Sequence, residues 1–215
     1  MLKLFWIGHA SFWVQEPVSI VIDPFDENVS SHFPAIQAQI VTESHQHFDH
    51  CAHGRVKGPF DLLSKAEKKT FPSVTVQGFP AFHDKEGGRK RGANILFKFT
   101  FPDGLTLLHS GDLGHRLNAD EVKDLGKIDI LCVPVGGTYT LDAVEAAAFA
   151  EDVNPAVVVP MHFKTPLMSQ LAELDLFLKA LGWPTERREL LTVSKTDLRD
   201  AGKTCAVLSA LIQEK

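Results

Sequence analysis

Cysteine is scarce in this chain. Its three copies (Cys51, Cys132 and Cys205) are odd in number and far apart, and they form no Cys-x-x-Cys pair. That pattern excludes a disulfide framework and points to a reducing cytoplasm as the working compartment. A basic surplus is missing too. The 22 Lys and Arg stand against 27 Asp and Glu, for a net charge of −5 with histidine neutral. Overall charge therefore gives no reason to expect nucleic acid as a partner. Long apolar runs are absent. The apolar opening, residues 1–14, is broken by His9 and Ser11 and meets Gln15 and Glu16 with no small-x-small cleavage site. It reads as a pair of strands, and neither as a membrane span nor as a leader. There is no internal repeat, no low-complexity linker and no composition break. A single domain over residues 1–215 is the expectation, with a chain long enough to bury its own core.

Histidine, by contrast, is concentrated. Residues 44–50 read Ser-His-Gln-His-Phe-Asp-His, which puts four metal-capable side chains (His45, His47, Asp49, His50) within six positions. They follow Ile40-Val41-Thr42, a short apolar run with the look of a buried strand. Imidazole and carboxylate suit zinc, iron or manganese, and two ions can share such a cluster where one could not use every donor.

Short β-branched and aromatic runs at 2–7, 11–15, 19–22 and 74–77 predict strands, and residues 62–69 predict a short helix. Residues 95–101 and 105–110 flank Pro102-Asp103-Gly104, a turn in which proline presets φ and glycine accepts a positive one. Beyond it the rhythm becomes strand then helix. Strands are predicted at 128–134, 156–160 and 204–212. A helix is predicted at 141–152 with Thr140 as N-cap, and another is capped by Ser169, carries Leu171, Leu174, Leu178 and Leu181 on one face, and ends at Gly182. Strands first and alternation later imply two packed sheets with helices outside.

Three further donors each follow an apolar run: His83 in Phe-Pro-Ala-Phe-His-Asp, Asp112 in His-Ser-Gly-Asp, and His162 in Val-Val-Pro-Met-His. Residues just beyond strands gather at one rim of a sheet. His-x-His-x-Asp-His, then His, Gly-Asp and a late His: this order resembles the metallo-β-lactamase fold superfamily of metal-dependent hydrolases. Gly8-His9-Ala10-Ser11, Ile22-Asp23-Pro24-Phe25, the run from Pro134-Val135-Gly136-Gly137 to Thr138-Tyr139-Thr140, and Pro160-Met161-His162-Phe163 are similar to its small bacterial branch that includes the ascorbate-6-phosphate lactonases. The likeness runs from about residue 5 to residue 165 and is unspecific as to substrate.

The resemblance implies an α/β fold, a four-layer αββα sandwich of two mixed sheets packed face to face with helices outside. It also implies that His45, His47 and His83 hold a first metal, that Asp49, His50 and His162 hold a second, and that Asp112 bridges them. Two divalent ions, zinc first with manganese and iron admitted by the same donors, would share a water and make it a nucleophile near neutral pH. The expected activity is hydrolysis of an ester, lactone or phosphoester of a small molecule, with lactonase- or esterase-like chemistry favoured. Asp49 is the candidate to orient the nucleophile and relay a proton, and His9 and Tyr139, the only tyrosine beside fifteen phenylalanines, are further catalytic candidates. Asp23 is a candidate to accept a hydrogen bond from a ligand imidazole.

The segment Lys85-Glu86-Gly87-Gly88-Arg89-Lys90-Arg91-Gly92 reads as a solvated connection, with recognition of a substrate anion as the alternative. His32, His53, His109 and His115 read as bystanders, and Cys51 as a packed residue. A nuclease or phosphodiesterase is the competing activity, disfavoured by the acidic balance. A di-iron redox centre is a third reading and a non-catalytic metal module a fourth. A small-molecule substrate is the expected partner; no membrane is expected, nucleic acid is disfavoured and a homo-oligomer is left open.

Overall fold

The computed structural model describes residues 1–199 and 201–212. In chain order the strands are β1 (Leu2–Gly8), β2 (Ser11–Glu16), β3 (Ile20–Ile22), β4 (Ile40–Thr42), β5 (Asp61–Leu63), β6 (Lys68–Phe71), β7 (Val74–Phe82), β8 (Ala93–Thr100) and β9 (Thr106–His109). They continue as β10 (Ile130–Pro134), β11 (Val157–Met161), β12 (Thr185–Arg188), β13 (Leu191–Val193) and β14 (Thr204–Leu208). The α-helices are α1 (Ala119–Leu125), α2 (Ala143–Val153) and α3 (Leu174–Leu181). Six strands form one sheet in the order β13-β1-β2-β3-β4-β5, and eight form the other as β12-β14-β11-β10-β9-β8-β7-β6. Both sheets are mixed.

Alternation explains how the sheets meet. In β3 and β4 the residues Ile20, Ile22 and Ile40 enter a core shared with Val76, Phe97 and Leu107 of the larger sheet. Val21 and Val41, one position along, point to the opposite face and join Phe25, Val29, Ile36 and Val56. The outer face of the smaller sheet is thus covered by the 24–39 loop and a one-turn 3-10 helix at His53–Arg55. The α-helices belong to the larger sheet. Phe149 of α2 and Phe177 of α3 are fully buried in the shared core, and Lys98 of β8 donates to the last-turn carbonyl of Leu125 in α1. The layers are those of an αββα sandwich, with a thin cover on one side.

Several local expectations are corrected. Residues 62–69 form no helix. They contribute to the edge strands β5, parallel to β4, and β6, antiparallel to β7, because pairing on an open edge outweighs local preference. The N-cap of α2 is Asp142, whose carboxylate accepts from Val144 and Glu145 while Glu145 reaches back to its N–H. Ser169 follows a 3-10 turn, and α3 starts only at Leu174, with Gly182 closing it in the left-handed conformation as expected. β14 ends at Leu208. β12 and β13 were not anticipated: Thr-Glu-Arg-Arg is exposed throughout and carries no alternation.

Strand direction decides where the chemistry gathers. β1 and β3 both run antiparallel to β2, and β4 runs parallel to β3. β7 and β9 both oppose β8, and β10 and β11 run parallel to β9. The C-terminal ends of β1, β3 and β4 carry His9, Asp23 and the 44–50 heptad. Those of β7, β9, β10 and β11 carry His83, Asp112, Tyr139 and His162.

Candidate metal centre

The two sets of strand ends adjoin, and their donors converge. One atom from each of His45, His47 and His83 lies within 4.8 Å of the others, and so does one from each of His9, Asp49, His50 and His162. His45, His50 and Asp112 form a third such group that joins the two. Asp112 sits at the centre, with Oδ2 3.1 Å from His83 Nε2 and 3.3 Å from His162 Nε2, and Oδ1 3.2 Å from His50 Nε2. The seven donors expected from the sequence are therefore brought together. His9 joins them as a neighbour of Asp49, its Nε2 3.1 Å from Asp49 Oδ2.

The residues fit a cation. Among the described residues, buried side-chain atoms without a hydrogen-bond partner include His9 Nδ1, His45 Nε2, His50 Nε2, His83 Nδ1, His162 Nδ1 and Asp112 Oδ1. Only Thr42 Oγ1 completes that set from outside the cluster. Buried polar groups are normally paired, so six unpartnered atoms on the residues of one His/Asp cluster point to a partner such as a cation. Nitrogen and carboxylate lone pairs at this density suit zinc, manganese or iron.

Hydrogen bonds behind the donors fix which nitrogen faces inward. His50 Nδ1 donates to Asp23 Oδ2 at 2.8 Å, leaving Nε2 for the centre. Ser44 donates its backbone N–H (2.8 Å) and its hydroxyl to the same carboxylate. With that hydroxyl proton committed, His45 Nδ1–H donates to Ser44 Oγ at 3.0 Å and His45 Nε2 points inward. Asp23 is fully buried and set by a positive φ of 47°, as are His9 (54°) and His162 (52°). Three such residues in one site are a local strain that surrounding contacts must hold. His162 N–H donates to His9 O at 3.0 Å, tying the two sheets together there.

Other supports were not legible as such. Asn94, fully buried, accepts from Asp112 N and donates to Ser110 O. Its signal was a lone amide at the head of an apolar strand. His109 is no bystander: its Nδ1 accepts from Gly111 N, so Nε2–H donates to Ala10 O at 2.8 Å as a neutral strut between the sheets. His53 meets the buried Glu43 at 2.7 Å. His115 Nε2 accepts from Phe82 N, and His32 is exposed beside Ser31. Gly136 is required by close approach, since a Cβ there would lie 2.1 Å from His162 O. Gly136→Ala is expected to cost about 1–3 kcal/mol, lowering the thermal midpoint by several degrees. An unchanged midpoint in a circular-dichroism melt would contradict that fit.

Electrostatics prepare the donors. Burial, helped by neighbouring His50, pushes the His45 pKa down to about 3, and burial with His162 pushes that of His9 to about 4. Both offer neutral lone pairs at neutral pH. Burial opposes the charge on Asp112, but His162 and His50 outweigh it and hold the carboxyl well below its usual range. Asp49 is held down by His50 and His9 in the same way, again against burial. For His50 burial works against the proton, yet Asp112 and Asp49 raise its pKa well above the ordinary value.

The cluster opens into a cavity of about 360 Å³ lined by His47, Phe48, Asp49, His83, Arg91, Asp112, Tyr139, Met168 and Gln170. Tyr139, 39% exposed, is at its wall and not at the donors. A neighbouring hollow of about 370 Å³ shares Arg91 and Tyr139 but none of the donors. The chemistry belongs with the first. Cys51 is half-buried beside His50 and enters none of the donor groups.

The profile of the β-lactamase superfamily domain matches residues 3–162. The chain belongs to the metallo-β-lactamase superfamily. Within this superfamily, a UPF0173 metal-dependent hydrolase of Carboxydothermus hydrogenoformans is 30% identical, with 76% of this chain and 85% of that protein covered. A crystal structure from Thermotoga maritima, described as that of a candidate zinc-dependent hydrolase of the superfamily, shares 37% identity at a TM-score of 0.81, covering 97% and 99% of the two chains. The metallo hydrolase Igni18 of Ignicoccus hospitalis, 21% identical at a TM-score of 0.70 over 100% and 99% of the chains, shares the superfamily fold. The protein is accordingly a metal-dependent hydrolase of the metallo-β-lactamase superfamily, and its His/Asp cluster fits a metal site. No helix among the described residues is long and apolar enough to cross a membrane.

Proposed function

We propose that this superfamily member hydrolyses an ester, lactone or phosphoester bond of a small molecule at a centre of two divalent ions. The observation that carries the reading is the pair of donor groups, His45/His47/His83 and His9/Asp49/His50/His162, joined through Asp112. His45, His47 and His83 would hold one ion, Asp49, His50 and His162 the other, and Asp112 both. Imidazole-rich sites of this kind favour zinc, with manganese and iron as alternatives. When bound, such ions lower the pKa of a shared water toward neutrality and polarise the oxygen of the scissile group.

The chain's own residues supply position and proton traffic. Asp49 Oδ2 has His9 Nε2 at 3.1 Å, so a proton taken up by Asp49 has an imidazole to share it with. Phe48 and Met168 make part of the cavity wall apolar and limit water around the substrate. Tyr139 reaches the leaving or non-reacting part of a bound molecule from that wall. A cavity of about 360 Å³ suits a substrate of metabolite size. With that size and a net charge of −5, the small-molecule reading is preferred to the nuclease alternative, with the cytoplasm as the compartment.

The test begins with metal analysis of the purified protein, followed by lactone, ester, thioester and phosphodiester reporters. Stripping metal with a chelator is expected to abolish turnover and lower the thermal midpoint, and zinc or manganese should restore both. His47→Ala is expected to behave like the stripped enzyme. Turnover that survives chelation and the His47→Ala change would end the metal-hydrolase mechanism.

A further inference from the structure

The basic segment 85–91 is not a slack connection. The carboxylate of Asp84 accepts from the backbone N–H groups of Glu86, Gly88, Lys90 and Arg91. These four bonds span 2.7–2.9 Å. One carboxylate thus gathers the whole loop directly behind the metal donor His83. Gly88, with φ +81°, lies so close to Gly92 O and Phe82 that a Cβ would collide with them. The loop's shape, and with it the root of Arg91, is fixed before any ligand arrives.

Two of the loop's cations are already neutralised: Lys85 pairs with Glu145 and Lys90 with Glu86. Arg91 has no such carboxylate among the described residues. Its guanidinium lies 5.3 Å from the Tyr139 ring centroid and donates one N–H to Thr138 O at 3.4 Å. Guanidinium carries five N–H donors, so most remain free, in the flat fork that matches an oxyanion. Among the described residues, Arg91 is also the only Lys or Arg lining the cavity over the donors. The nearby carboxylates do not claim it, because Asp49 and Asp112 face His9, His50, His83 and His162 instead.

We propose that Arg91, stacked on Tyr139 and held by the Asp84-bound loop, recognises a carboxylate or phosphate on the non-reacting end of the substrate. The proposal rests on the hydrolase reading above and narrows its substrate class to anions. Recognition is by charge and shape together, from a donor ordered in advance, which reduces the entropy lost on binding.

The experiment is calorimetric titration of the metal-loaded protein with straight-chain monocarboxylates from butyrate to hexanoate and with the matching dicarboxylates. Phosphonocarboxylates of the same lengths form a parallel arm that separates phosphate from carboxylate recognition. Proteins are the wild type, Arg91→Ala, Arg91→Lys and Lys90→Ala, each checked for an unchanged melt. One added charge-assisted hydrogen-bonded pair predicts that some dianion binds about 10- to 100-fold tighter than its monoanion. Arg91→Ala should erase that ratio while leaving monocarboxylate affinity alone. Arg91→Lys should restore part of it, and Lys90→Ala should keep it in full. A dianion preference that survives in Arg91→Ala, or is absent from the wild type at every length, overturns the assignment. Failure of the monocarboxylates as well would instead overturn the metal-site reading beneath it.

Discussion

Asp112→Asn is expected to lower kcat/KM by at least about 10³-fold, some 4 kcal/mol of transition-state stabilisation, and to reduce bound metal below two ions per chain. The side chain is 2% exposed and each of its oxygens faces imidazole: Oδ2 meets His83 and His162, and Oδ1 meets His50. Among the described residues, no other carboxylate lies this close to donors of both groups. Asparagine keeps the volume and the backbone bond from residue 112 N to Asn94 Oδ1. The fold should therefore survive while the negative charge proposed to serve both metal positions is lost. Paired atomic-emission metal analysis and kinetics decide the matter. Full metal occupancy with activity within tenfold of wild type would remove Asp112 from the bridging role.

Why Asp112 could be picked out from sequence, and its supports could not, follows from the range over which each signal acts. A strand announces itself by alternation over a few residues, and a polar donor just beyond it must surface at the sheet's rim. His83, Asp112 and His162 obey that local rule, and so does the heptad after β4. The sandwich followed from the same rule applied to whole segments. Asp84, Asn94 and His109 act instead through partners whose identity the local pattern cannot reveal: His109 supports Ala10, 99 positions away. The unpaired state of Arg91 likewise emerges only once Glu145 and Glu86 are seen to take the neighbouring lysines. Edge strands were missed for a related reason. β6 and β12 carry exposed charged residues and owe their form to the strand they lie against.

Asp23 offers the other large effect, because one carboxylate orients two donor imidazoles. It accepts directly from His50 Nδ1, and through the Ser44 hydroxyl it sets His45. Asp23→Ala would leave three donors, Ser44 N, Ser44 Oγ and His50 Nδ1, facing an empty space in a fully buried site. Removing one side of a buried charged network costs about 3–5 kcal/mol, so a fall of roughly ten degrees or more in the thermal midpoint is expected for a chain of this size. Metal affinity should drop by about 10- to 100-fold as the imidazoles lose their fixed tautomers.

Asp23→Asn separates the two consequences. Asparagine tolerates the positive φ at this position and can still accept from Ser44 N. Its stability should therefore lie between wild type and alanine. With its oxygen on Ser44 N, the amide turns its NH2 group toward the Ser44 hydroxyl and His50 Nδ1 and accepts from neither, so the loss of metal affinity should persist. Ser44→Ala, which breaks only the branch to His45, is expected to weaken one ion and spare the other. Equal retention of both ions in all three variants would mean that the imidazoles are oriented by packing alone, and Asp23 would then be a structural residue without a role in holding metal.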